Sequence, residues 1–386
     1  MKKVKVMVVF GTRPEAVKMA PLVKLLMKQE DMHTAVCVTA QHREMLDQVL
    51  GLFDIVPHYD LDIMQERQTL TDITIRALKG LEGVIEKEKP DVLLVHGDTT
   101  TTFAGSLAGY YHGVKVGHVE AGLRTFNKFS PFPEEMNRKL TGAVADMHFA
   151  PTAGSRANLI REGVDERDIV VTGNTVIDAL IQVIRNRSCP EIPGLGRLDA
   201  EGGRIVLLTC HRRENLGQPM KNIFHAVRDL VDAHRDVQLV FPVHKNPAVR
   251  EIAYGILNGH DRIHLIEPLD YLPFAHLMNK SHIILTDSGG IQEEAPSLGK
   301  PVLVLREVTE RPEALEAGTV RLAGTCRMKI FELASRLLED DREYRSMAEA
   351  VNPYGDGTAS ERIVDALRFY CGLSGNPPRD FIPEDK

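Results

Sequence analysis

The sequence lacks several features that would assign the chain to a broad class at once. It contains no stretch of about 18 apolar residues and therefore no candidate membrane-spanning helix. Its 47 Lys and Arg residues are outnumbered by 54 Asp and Glu residues, whereas a general nucleic-acid surface needs a basic stripe. The N-terminus also lacks the longer apolar core of a signal peptide. We therefore expect no nucleic-acid partner and no membrane partner.

Cysteine is scarce, and common cofactor and nucleophile motifs are missing. The five cysteines are widely spaced without a C-x-x-C pair, which favours reduced thiols in a cytoplasmic protein. No G-x-G-x-x-G follows the first apolar run, and neither G-x-x-x-x-G-K-[ST] nor G-x-S-x-G occurs. These absences argue against a tightly held dinucleotide, ATP hydrolysis and a serine nucleophile, and we predict no cofactor.

Short apolar runs alternate with helical patterns along the chain, which at 386 residues is long enough for about two domains. The predicted strands cover 4–10, 35–39, 91–96, 114–119, 147–150, 169–172, 204–210, 237–243, 262–266, 282–286 and 301–305. The predicted helices cover 20–29, 43–52, 69–88, 100–112, 135–143, 153–162, 219–234, 247–258, 271–279, 290–299 and 327–349. Pro21 fits the first turn of its helix, which leaves 11–19 as a loop. Repeated strand-helix units predict two doubly wound α/β domains.

Two carboxylates each follow an apolar run that is typical of a buried parallel strand. Asp98 comes after the run 92–95, and Glu120 comes after the run 114–119. Because parallel strands end at one edge of a sheet, we expect the two acids to share a crevice there. Paired acids at such an edge indicate acid/base chemistry on a bound small molecule. The alternative for Asp98 is that it caps a helix beginning at Thr99.

The segment from Asp287 to Glu294 carries the clearest signal for an anion. Gly289 and Gly290 would let the backbone approach a ligand, and Ser288 can add a hydroxyl. Glu294 lies about one turn into the predicted helix, where it could accept both hydroxyls of a ribose. A plain tight turn followed by a solvated glutamate is the alternative.

Basic side chains collect near the predicted strand ends despite the acidic total. A diphosphate ligand would explain them, because arginine offers paired donors to phosphate oxygens, while a surface ion pair is the alternative for any one of them. They are Arg13, Lys18, Arg212, Arg213, Arg306 and Arg311. His211 could donate a proton to a leaving phosphate, bind phosphate, or be a satisfied polar residue. His96 and His118 precede the two acids by two residues, but no third ligand has suitable spacing, so we predict no metal.

Nine polar stretches stand in order along the chain, most of them at predicted strand ends. Those of the first half are Phe10-Gly-Thr-Arg-Pro-Glu-Ala, Thr39-Ala-Gln-His-Arg, His96-Gly-Asp-Thr-Thr-Thr, His118-Val-Glu-Ala-Gly-Leu-Arg-Thr, Pro133-Glu-Glu-Met-Asn-Arg and Thr172-Gly-Asn-Thr. Those of the second half are His211-Arg-Arg-Glu-Asn, Asp287-Ser-Gly-Gly-Ile-Gln-Glu-Glu and Thr309-Glu-Arg-Pro-Glu. With the sequence around them, from residue 4 to 365, they resemble the non-hydrolysing UDP-N-acetylglucosamine 2-epimerases.

The resemblance implies a fold and a reaction. The fold is α/β, with two facing Rossmann-like doubly wound domains of the glycosyltransferase-B type. The N-terminal domain would comprise 1–172 joined by the C-terminal segment 357–386 with its helix near 358–371, and the UDP-binding domain would comprise 173–356. The reaction would interconvert UDP-N-acetylglucosamine (UDP-GlcNAc) and UDP-N-acetylmannosamine (UDP-ManNAc) by loss and re-addition of UDP through 2-acetamidoglucal. A cytoplasmic homodimer that serves cell-surface polysaccharide biosynthesis is also implied.

The resemblance also implies roles for individual residues. The acid/base candidates are Asp98, Glu120 and Glu134, with His211 assisting at the leaving diphosphate. The candidates for holding the nucleotide and diphosphate are Arg13, Lys18, Arg138, Arg212, Ser288, Gly289, Gly290, Glu294 and Arg311. Phe274 would pack by the uracil, and Leu269 stands where some relatives carry glutamine, so only a backbone contact would survive there. Some relatives bind a second UDP-GlcNAc as an activator, and the matching residue types are Gln41, His42, Arg67, Gln68, Arg212 and His244.

Three other functions stay open on the sequence alone. A hydrolysing epimerase would release free N-acetylmannosamine and UDP. A glycosyltransferase of the same fold would use the same nucleotide loops but would need an acceptor site. A catalytically silent nucleotide-sugar sensor would bind without turnover, although the joint presence of the four acid/base candidates argues against it.

Overall fold

The computed structural model describes residues 3–40, 43–192, 195 and 203–383. The chain divides into two compact units, of which unit 1 comprises Met1–Ile181 and Tyr354–Ile382, and unit 2 comprises Gln182–Pro353 and Pro383–Lys386. The domain boundaries at 172/173 and 356/357 that the resemblance implies stay predictions. None of the described helices combines the length and the apolar character needed to cross a bilayer.

Unit 1 is built on a parallel sheet with the strand order β3-β2-β1-β4-β5-β6-β7. Its strands are β1 (Val4–Phe10), β2 (Met32–Val38), β3 (Tyr59–Asp60), β4 (Val92–His96), β5 (Lys115–Val119), β6 (Met147–Ala150) and β7 (Ile169–Val171). Its helices are α1 (Arg13–Leu26), α2 (Arg43–Leu52), α3 (Leu70–Glu88), α4 (Thr100–Tyr111), α5 (Glu134–Val144), α6 (Ala153–Arg161) and the first half of α7 (Thr175–Asn186), with the C-terminal helix Ala359–Tyr370. The division between the units falls inside α7.

Unit 2 repeats this architecture with the strand order β10-β9-β8-β11-β12-β13. Its strands are β8 (Arg204–Thr209), β9 (Val237–Pro242), β10 (Ile263–Ile266), β11 (Ile283–Thr286), β12 (Val302–Val304) and β13 (Val320–Leu322). Its helices are α8 (Gln218–Ala233), α9 (Pro247–Leu257), α10 (Tyr271–Lys280), α11 (Gly289–Glu294), α12 (Pro312–Glu316), α13 (Arg327–Glu339) and α14 (Asp341–Ala348).

Near-continuous apolar strands form the centre of each unit because helices cover both faces of a parallel sheet. In β1, the residues from Val6 to Phe10 are at most 1% exposed. The strand order reverses between β1 and β4 in unit 1, and between β8 and β11 in unit 2. Ligands of doubly wound folds bind beyond the carboxyl ends of the strands at such a reversal. The loops that begin at Gly11, Gly97, Cys210 and Asp287 therefore lie where a ligand is expected.

The prediction that 11–19 forms a loop is wrong, because α1 begins at Arg13 and contains Pro21 in its interior. Its N-terminus is set by a capping box, in which the side chain of Glu15 accepts the backbone N–H of Thr12 at 2.8 Å. Pro14 occupies the first turn, where no intrahelical N–H bond is lost. The sequence signal for the start of α1 was thus the spacing from Thr12 to Glu15. Pro21 lies inside the helix, which tolerates it.

Other differences arise where elements are short or where a polar cap divides a helix. The two-residue β3 and the three-residue β13 are too short to show a period, and α7 was not predicted. The predicted helix 327–349 is two helices, because Asp340 ends α13 and its side chain caps α14. The C-terminal helix ends at Tyr370, one residue before the end at 371 that the resemblance implies. Beyond it, Asp380 accepts the backbone N–H of Val171 at 2.8 Å and so holds the tail against β7.

Candidate functional site

Asp98 follows β4 and is held by two residues of α5. Its Oδ2 accepts a hydrogen bond from Nε of Arg138 at 2.9 Å, and Nη2 of Arg138 lies 2.6 Å from the same oxygen. Its backbone carbonyl accepts a hydrogen bond from Nδ2 of Asn137 at 2.9 Å. The capping alternative is wrong, because the N-cap of α4 is Thr99, whose hydroxyl accepts from the backbone N–H of Thr102. The carboxylate of Asp98 is therefore positioned by an arginine and does not cap the N-terminus of α4.

Glu120 follows β5, the neighbour of β4 in the sheet, and polar side chains surround its carboxylate. Nζ of Lys18 donates to both oxygens, at 2.7 and 2.8 Å. Nε2 of His96 lies 3.0 Å from Oε2, and Nδ2 of Asn174 donates to Oε1 at 3.3 Å. The φ of Glu120 is +62°, which is rare for a residue with a Cβ atom and is held here by the surrounding contacts.

The charge state of Glu120 follows from these neighbours. Burial acts to raise the pKa of the carboxyl, but the positive charge of Lys18 and the adjacent imidazole of His96 act against burial. The net result is a pKa well below the ordinary value. Glu120 is therefore an ionised carboxylate at neutral pH, next to the strand end that carries Asp98.

The first turn of α5 contains two acids in different environments. Glu135 is 0% exposed and accepts the backbone N–H groups of Thr125 and Phe126, each at 3.0 Å. It also lies 3.3 Å from Nη1 of Arg138 and so fixes both the loop before α5 and this guanidinium. By contrast, Oε2 of Glu134 is buried and has no hydrogen-bond partner among the described residues. Buried unpaired oxygens are rare in folded proteins and mark candidate functional groups.

The loop after β1 is tied to the loop after β4 by the buried carboxylate of Glu15. Its Oε2 accepts the backbone N–H of Gly11 at 3.1 Å, and its Oε1 accepts the hydroxyl of Thr99 at 2.7 Å. A Cβ atom at Gly11 would come within 2.0 Å of Oγ1 of Thr39, so the chain requires glycine at this close approach. Arg13, which follows, is half-buried and makes no ion pair with any residue that the structure describes. Its guanidinium is available to an anion.

The loop after β8 is anchored by a buried aspartate that follows β11. Asp287 is 0% exposed, and its Oδ2 accepts the backbone N–H groups of His211 and Arg212, each at 2.8 Å. The same oxygen accepts Nδ2 of Asn215 at 3.1 Å. Nδ1 of His211 lies 3.2 Å from Oδ1, and the ring stacks on that of His244 with centroids 5.5 Å apart. Burial lowers the pKa of His211, and the charge of Asp287 opposes this only in part.

The segment after β11 begins at Ser288, the N-cap of α11. A Cβ atom at Gly289 would meet nothing closer than 3.8 Å, and one at Gly290 nothing closer than 3.6 Å. Packing within the chain therefore does not require glycine at either position, and the space is available to a ligand. Oε2 of Glu294 accepts a hydrogen bond from the hydroxyl of Tyr271 at 3.2 Å, which holds the carboxylate in place.

Two of the candidate arginines of unit 2 are held by acids. Nε of Arg306 donates to Glu214 at 2.6 Å, and the Arg306 side chain is 7% exposed, so the ion-pair alternative fits this residue. Arg311 pairs with the buried carboxylate of Glu293. Nε of Arg212 donates to the backbone carbonyl after β11 at 3.3 Å. Arg213 is exposed, while Leu269 and Phe274, the candidates for the uracil, are half-buried.

The candidates for a second nucleotide are only partly described. Gln41 and His42 lie outside the described residues. Arg67 is exposed and has a φ of +57°, and Oε1 of Gln68 accepts the backbone N–H of Gln65 at 3.2 Å. In unit 2, the exposed His244 stacks on the ring of the histidine after β8. Only the resemblance connects these residues, and their shared role in binding a second UDP-GlcNAc stays a prediction.

Three side chains in the described part of the chain could hold a metal ion together: Glu82, Glu86 and His112. They lie toward the C-terminal ends of α3 and α4, at the edge of the sheet opposite to the candidate acids. His118, which entered the metal hypothesis, instead contacts the backbone carbonyl of Gly97 through Nε2 at 2.7 Å. Burial lowers its pKa to about 3, so it is a neutral residue that closes the strand end.

Sequence reasoning missed the buried residues that position the candidates. Glu15, Glu135 and Asp287 all stand inside the polar stretches that carry the resemblance, but only their neighbours were given roles. The signal for Glu15 was its capping-box spacing from Thr12. The contacts of the other two depend on which loops the folded chain brings together, and no local pattern shows this.

The chain is similar to known proteins over nearly its whole length. Residues 24–368 match the family model described as UDP-N-acetylglucosamine 2-epimerase. The UDP-N-acetylglucosamine 2-epimerase of Bacillus subtilis strain 168 is 58% identical over 382 residues, which cover 99% of each chain. The UDP-GlcNAc 2-epimerase of Neisseria meningitidis, solved with UDP-GlcNAc bound, is 50% identical with a TM-score of 0.83, over 94% of this chain and 99% of that one. MnaA of S. aureus, solved with UDP, is 54% identical with a TM-score of 0.86, over 98% and 100%.

Proposed function

Because the chain belongs to the UDP-N-acetylglucosamine 2-epimerase family, we propose that it reversibly interconverts UDP-GlcNAc and UDP-ManNAc. The observation that carries the proposal is a pair of positioned carboxylates on neighbouring strand ends of unit 1. Asp98 is held by Arg138, and Glu120 is held ionised by Lys18. Proton transfer at a sugar carbon needs groups of this kind.

The chemical difficulty is that the C2 proton of the sugar has no neighbouring carbonyl to acidify it. Elimination avoids the difficulty, because a carboxylate takes the C2 proton while the C1–O bond to the diphosphate breaks. The C–H electron pair then forms the C1=C2 double bond of 2-acetamidoglucal, and the C1–O pair leaves with UDP. Re-addition of UDP to C1, with a proton delivered to the other face of C2, gives the epimer. Both faces of the ring therefore need an acid/base group, and the leaving diphosphate needs cations.

Unit 1 offers three carboxyl groups for the two faces. Asp98 and Glu120 are the positioned pair, and Glu134 contributes a carboxyl oxygen that no described residue satisfies. Unequal environments are what two opposite proton-transfer tasks require. Arg13 and Lys18 would contribute positive charge toward the substrate from α1, and Arg138 would do so from α5.

Unit 2 offers the groups for UDP. Ser288, Gly289 and Gly290 would receive the diphosphate, with Arg212 and Arg311 adding charge-assisted hydrogen bonds. Glu294, held by Tyr271, would accept the ribose hydroxyls. The half-buried Phe274 would pack by the uracil, with Leu269 offering its backbone. His211 would assist at the leaving diphosphate.

The decisive experiment is incubation with UDP-GlcNAc in heavy water, with C2 followed by NMR. We expect deuterium at C2 of intact UDP-GlcNAc and UDP-ManNAc, because re-addition takes its proton from an exchangeable group. Free N-acetylmannosamine with UDP, formed at the rate of turnover, would indicate a hydrolysing epimerase. Absence of exchange would contradict the proposal and leave a transferase or a sensor.

A second UDP-GlcNAc is a further part of the proposal. Arg67, Gln68, Arg212 and His244, with Gln41 and His42 outside the described residues, match the residue types that relatives use for an activator. We expect the rate from UDP-ManNAc to rise when UDP-GlcNAc is added at low concentration. A rate that does not depend on added UDP-GlcNAc would contradict this second site.

A homodimer in the cytoplasm that supplies cell-surface polysaccharide biosynthesis completes the proposal. The five cysteines are free, which fits a reducing compartment. Light scattering after size-exclusion chromatography should give twice the chain mass of 43.0 kDa. A mass of one chain at assay concentration would contradict the dimer without affecting the reaction.

A further inference from the structure

The two oxygens of Asp287 have different surroundings. Oδ2 accepts two backbone N–H groups and the amide of Asn215, and so fixes the course of the loop after β8. Oδ1 is equally buried but lacks a well-directed hydrogen bond from any described residue. The nitrogen that faces it is Nδ1 of His211, at 3.2 Å. One oxygen thus has its donors, and the other faces the imidazole of His211, with the thiol of Cys210 also next to the carboxylate.

The other groups around His211 do not offer a negative charge. The charged and titratable groups that face its ring are Asp287, His244 and Arg212, of which only Asp287 is an acid. Nδ1 of His244 accepts the backbone N–H of Asn246 at 3.1 Å, so that nitrogen carries no proton. An imidazolium at His211 would therefore be stabilised by Asp287 alone.

We propose that Asp287 is a positioning residue that takes the Nδ1 proton of His211 on Oδ1, so that Nε2 faces the diphosphate of the nucleotide sugar. The role in turnover rests on the proposed function. As the C1–O bond breaks, the Nε2 proton passes to a diphosphate oxygen, and it returns to Nε2 when UDP re-adds. The Nδ1 proton stays between the ring and the carboxylate. The 3.2 Å contact is loosely aligned without a ligand, and such contacts tighten when the substrate is bound.

Asp287→Asn separates this role from loop anchoring. The amide oxygen can still accept the three donors that Oδ2 now holds, while the amide NH₂ takes the place of Oδ1. An N–H group facing Nδ1 forces the proton of His211 onto Nε2 and disfavours the imidazolium. The loop should therefore persist while the tautomer reverses.

We expect kcat to fall about 100-fold in Asp287→Asn, with KM for UDP-GlcNAc within about threefold. The limb of the pH profile that reports the protonated imidazole should move to lower pH, because the imidazolium loses its counter-charge. In a ¹⁵N spectrum above the titration of the ring, His211 should carry its proton on Nδ1 in the wild type and on Nε2 in the variant. His211→Asn assigns the signal.

A double-mutant cycle distinguishes positioning from a structural role. If Asp287 acts through His211, the variant Asp287→Asn with His211→Asn should turn over within about twofold of His211→Asn alone. Additive losses, or a wild-type His211 with its proton on Nε2, would overturn the inference. The wild-type tautomer decides the matter even where Asp287→Asn does not fold. Absence of deuterium at C2 in the wild type would sink the proposed reaction and leave the Asp287 to His211 pairing to be tested by the spectrum.

Discussion

The two units share a sheet architecture but differ in the polar groups that follow their strands. Which group is the candidate and which group holds it is exchanged between acid and base. In unit 1, the candidate carboxylates Asp98 and Glu120 are each held by a basic side chain. In unit 2, the order is reversed, because the buried acids Asp287 and Glu293 hold a histidine and an arginine. The fold alone therefore does not decide the chemistry, which depends on the residues that follow the strands.

The consequence is a difference in which group is prepared for a ligand. A carboxylate held by a cation is ionised and can take a proton or stabilise positive charge. A cation held by a buried acid keeps a fixed direction and is suited to an anion. In the proposed function, unit 1 would supply the proton-transfer groups and unit 2 the cations for the diphosphate.

The most severe test of unit 1 is Asp98→Asn. We expect turnover to fall at least about 1,000-fold, which is about 4 kcal/mol, because the amide cannot take or give the proton. UDP affinity should stay within about tenfold, or 1.4 kcal/mol, because Asp98 is assigned to proton transfer and not to the nucleotide. Deuterium exchange at C2 and UDP titration calorimetry measure the two quantities.

Asp91→Asn is the matched control, because Asp91 precedes β4 and Asp98 follows it. The Asp91 carboxylate accepts the backbone N–H of Lys5 at 2.8 Å, away from the carboxyl edge. It should retain turnover within about twofold, apart from a small loss of stability from one weakened hydrogen bond. Equal losses in both variants would mean that folding, and not proton transfer, is affected.

Lys18→Met tests whether the cation sets the state of Glu120. Removal of the ammonium takes away the largest of the effects that oppose burial, so the pKa of Glu120 should rise and the acid limb of the pH profile should move to higher pH. We expect turnover at pH 7 to fall about 100-fold, or about 2.7 kcal/mol. Lys24→Met, in the last turn of the same helix, is the control. A higher KM with an unmoved acid limb would show that Lys18 serves the substrate only.

The sequence predicted the architecture because its apolar runs are strong and its strands are parallel. The strand Val4–Phe10 is predicted and observed over the same residues, because five consecutive residues of it are apolar and buried. The edge strand Tyr59–Asp60 was not predicted, because two residues are too few to show the alternation of apolar and polar residues in a strand. The C-terminal helix is observed over Ala359–Tyr370, in agreement with the helix that the resemblance places near 358–371.

The candidate site could be predicted as far as residue types at strand ends, and no further. The positions of Asp98 and Glu120 follow from two apolar runs. The pairing of Lys18 with Glu120 joins residues 102 apart, and the anchoring of His211 by Asp287 joins residues 76 apart. Such pairs depend on strand order and on helix rotation, which a local pattern does not contain.

Acid stability should also report on a buried histidine of unit 1. Burial lowers the pKa of His148 in β6 to about 4, below the 6.5 of an unfolded histidine. Between these values the unfolded chain binds the extra proton, so stability is full above pH 6.5 and is lost as the pH falls. The loss from His148 is about 1.4 kcal/mol at pH 5.5. His148→Phe should remove this acid-dependent loss of stability. Amide hydrogen exchange of β5 and β6 measures it, with β8 and β9 as the internal control. An unchanged pH dependence in β6 would contradict it.

The smallest expected effect tests how unit 2 holds its nucleotide. Tyr271→Phe removes the hydroxyl that donates to Glu294 at 3.2 Å and leaves the ring in place. We expect UDP affinity to fall about fourfold, or 0.8 kcal/mol, because the carboxylate loses one of the contacts that orient it toward the ribose hydroxyls. Calorimetry with inorganic diphosphate should show no change, because that probe has no ribose. Tyr254→Phe, an exposed tyrosine of α9, is the matched control. Equal weakening for both probes would place Glu294 at the phosphates and not at the sugar.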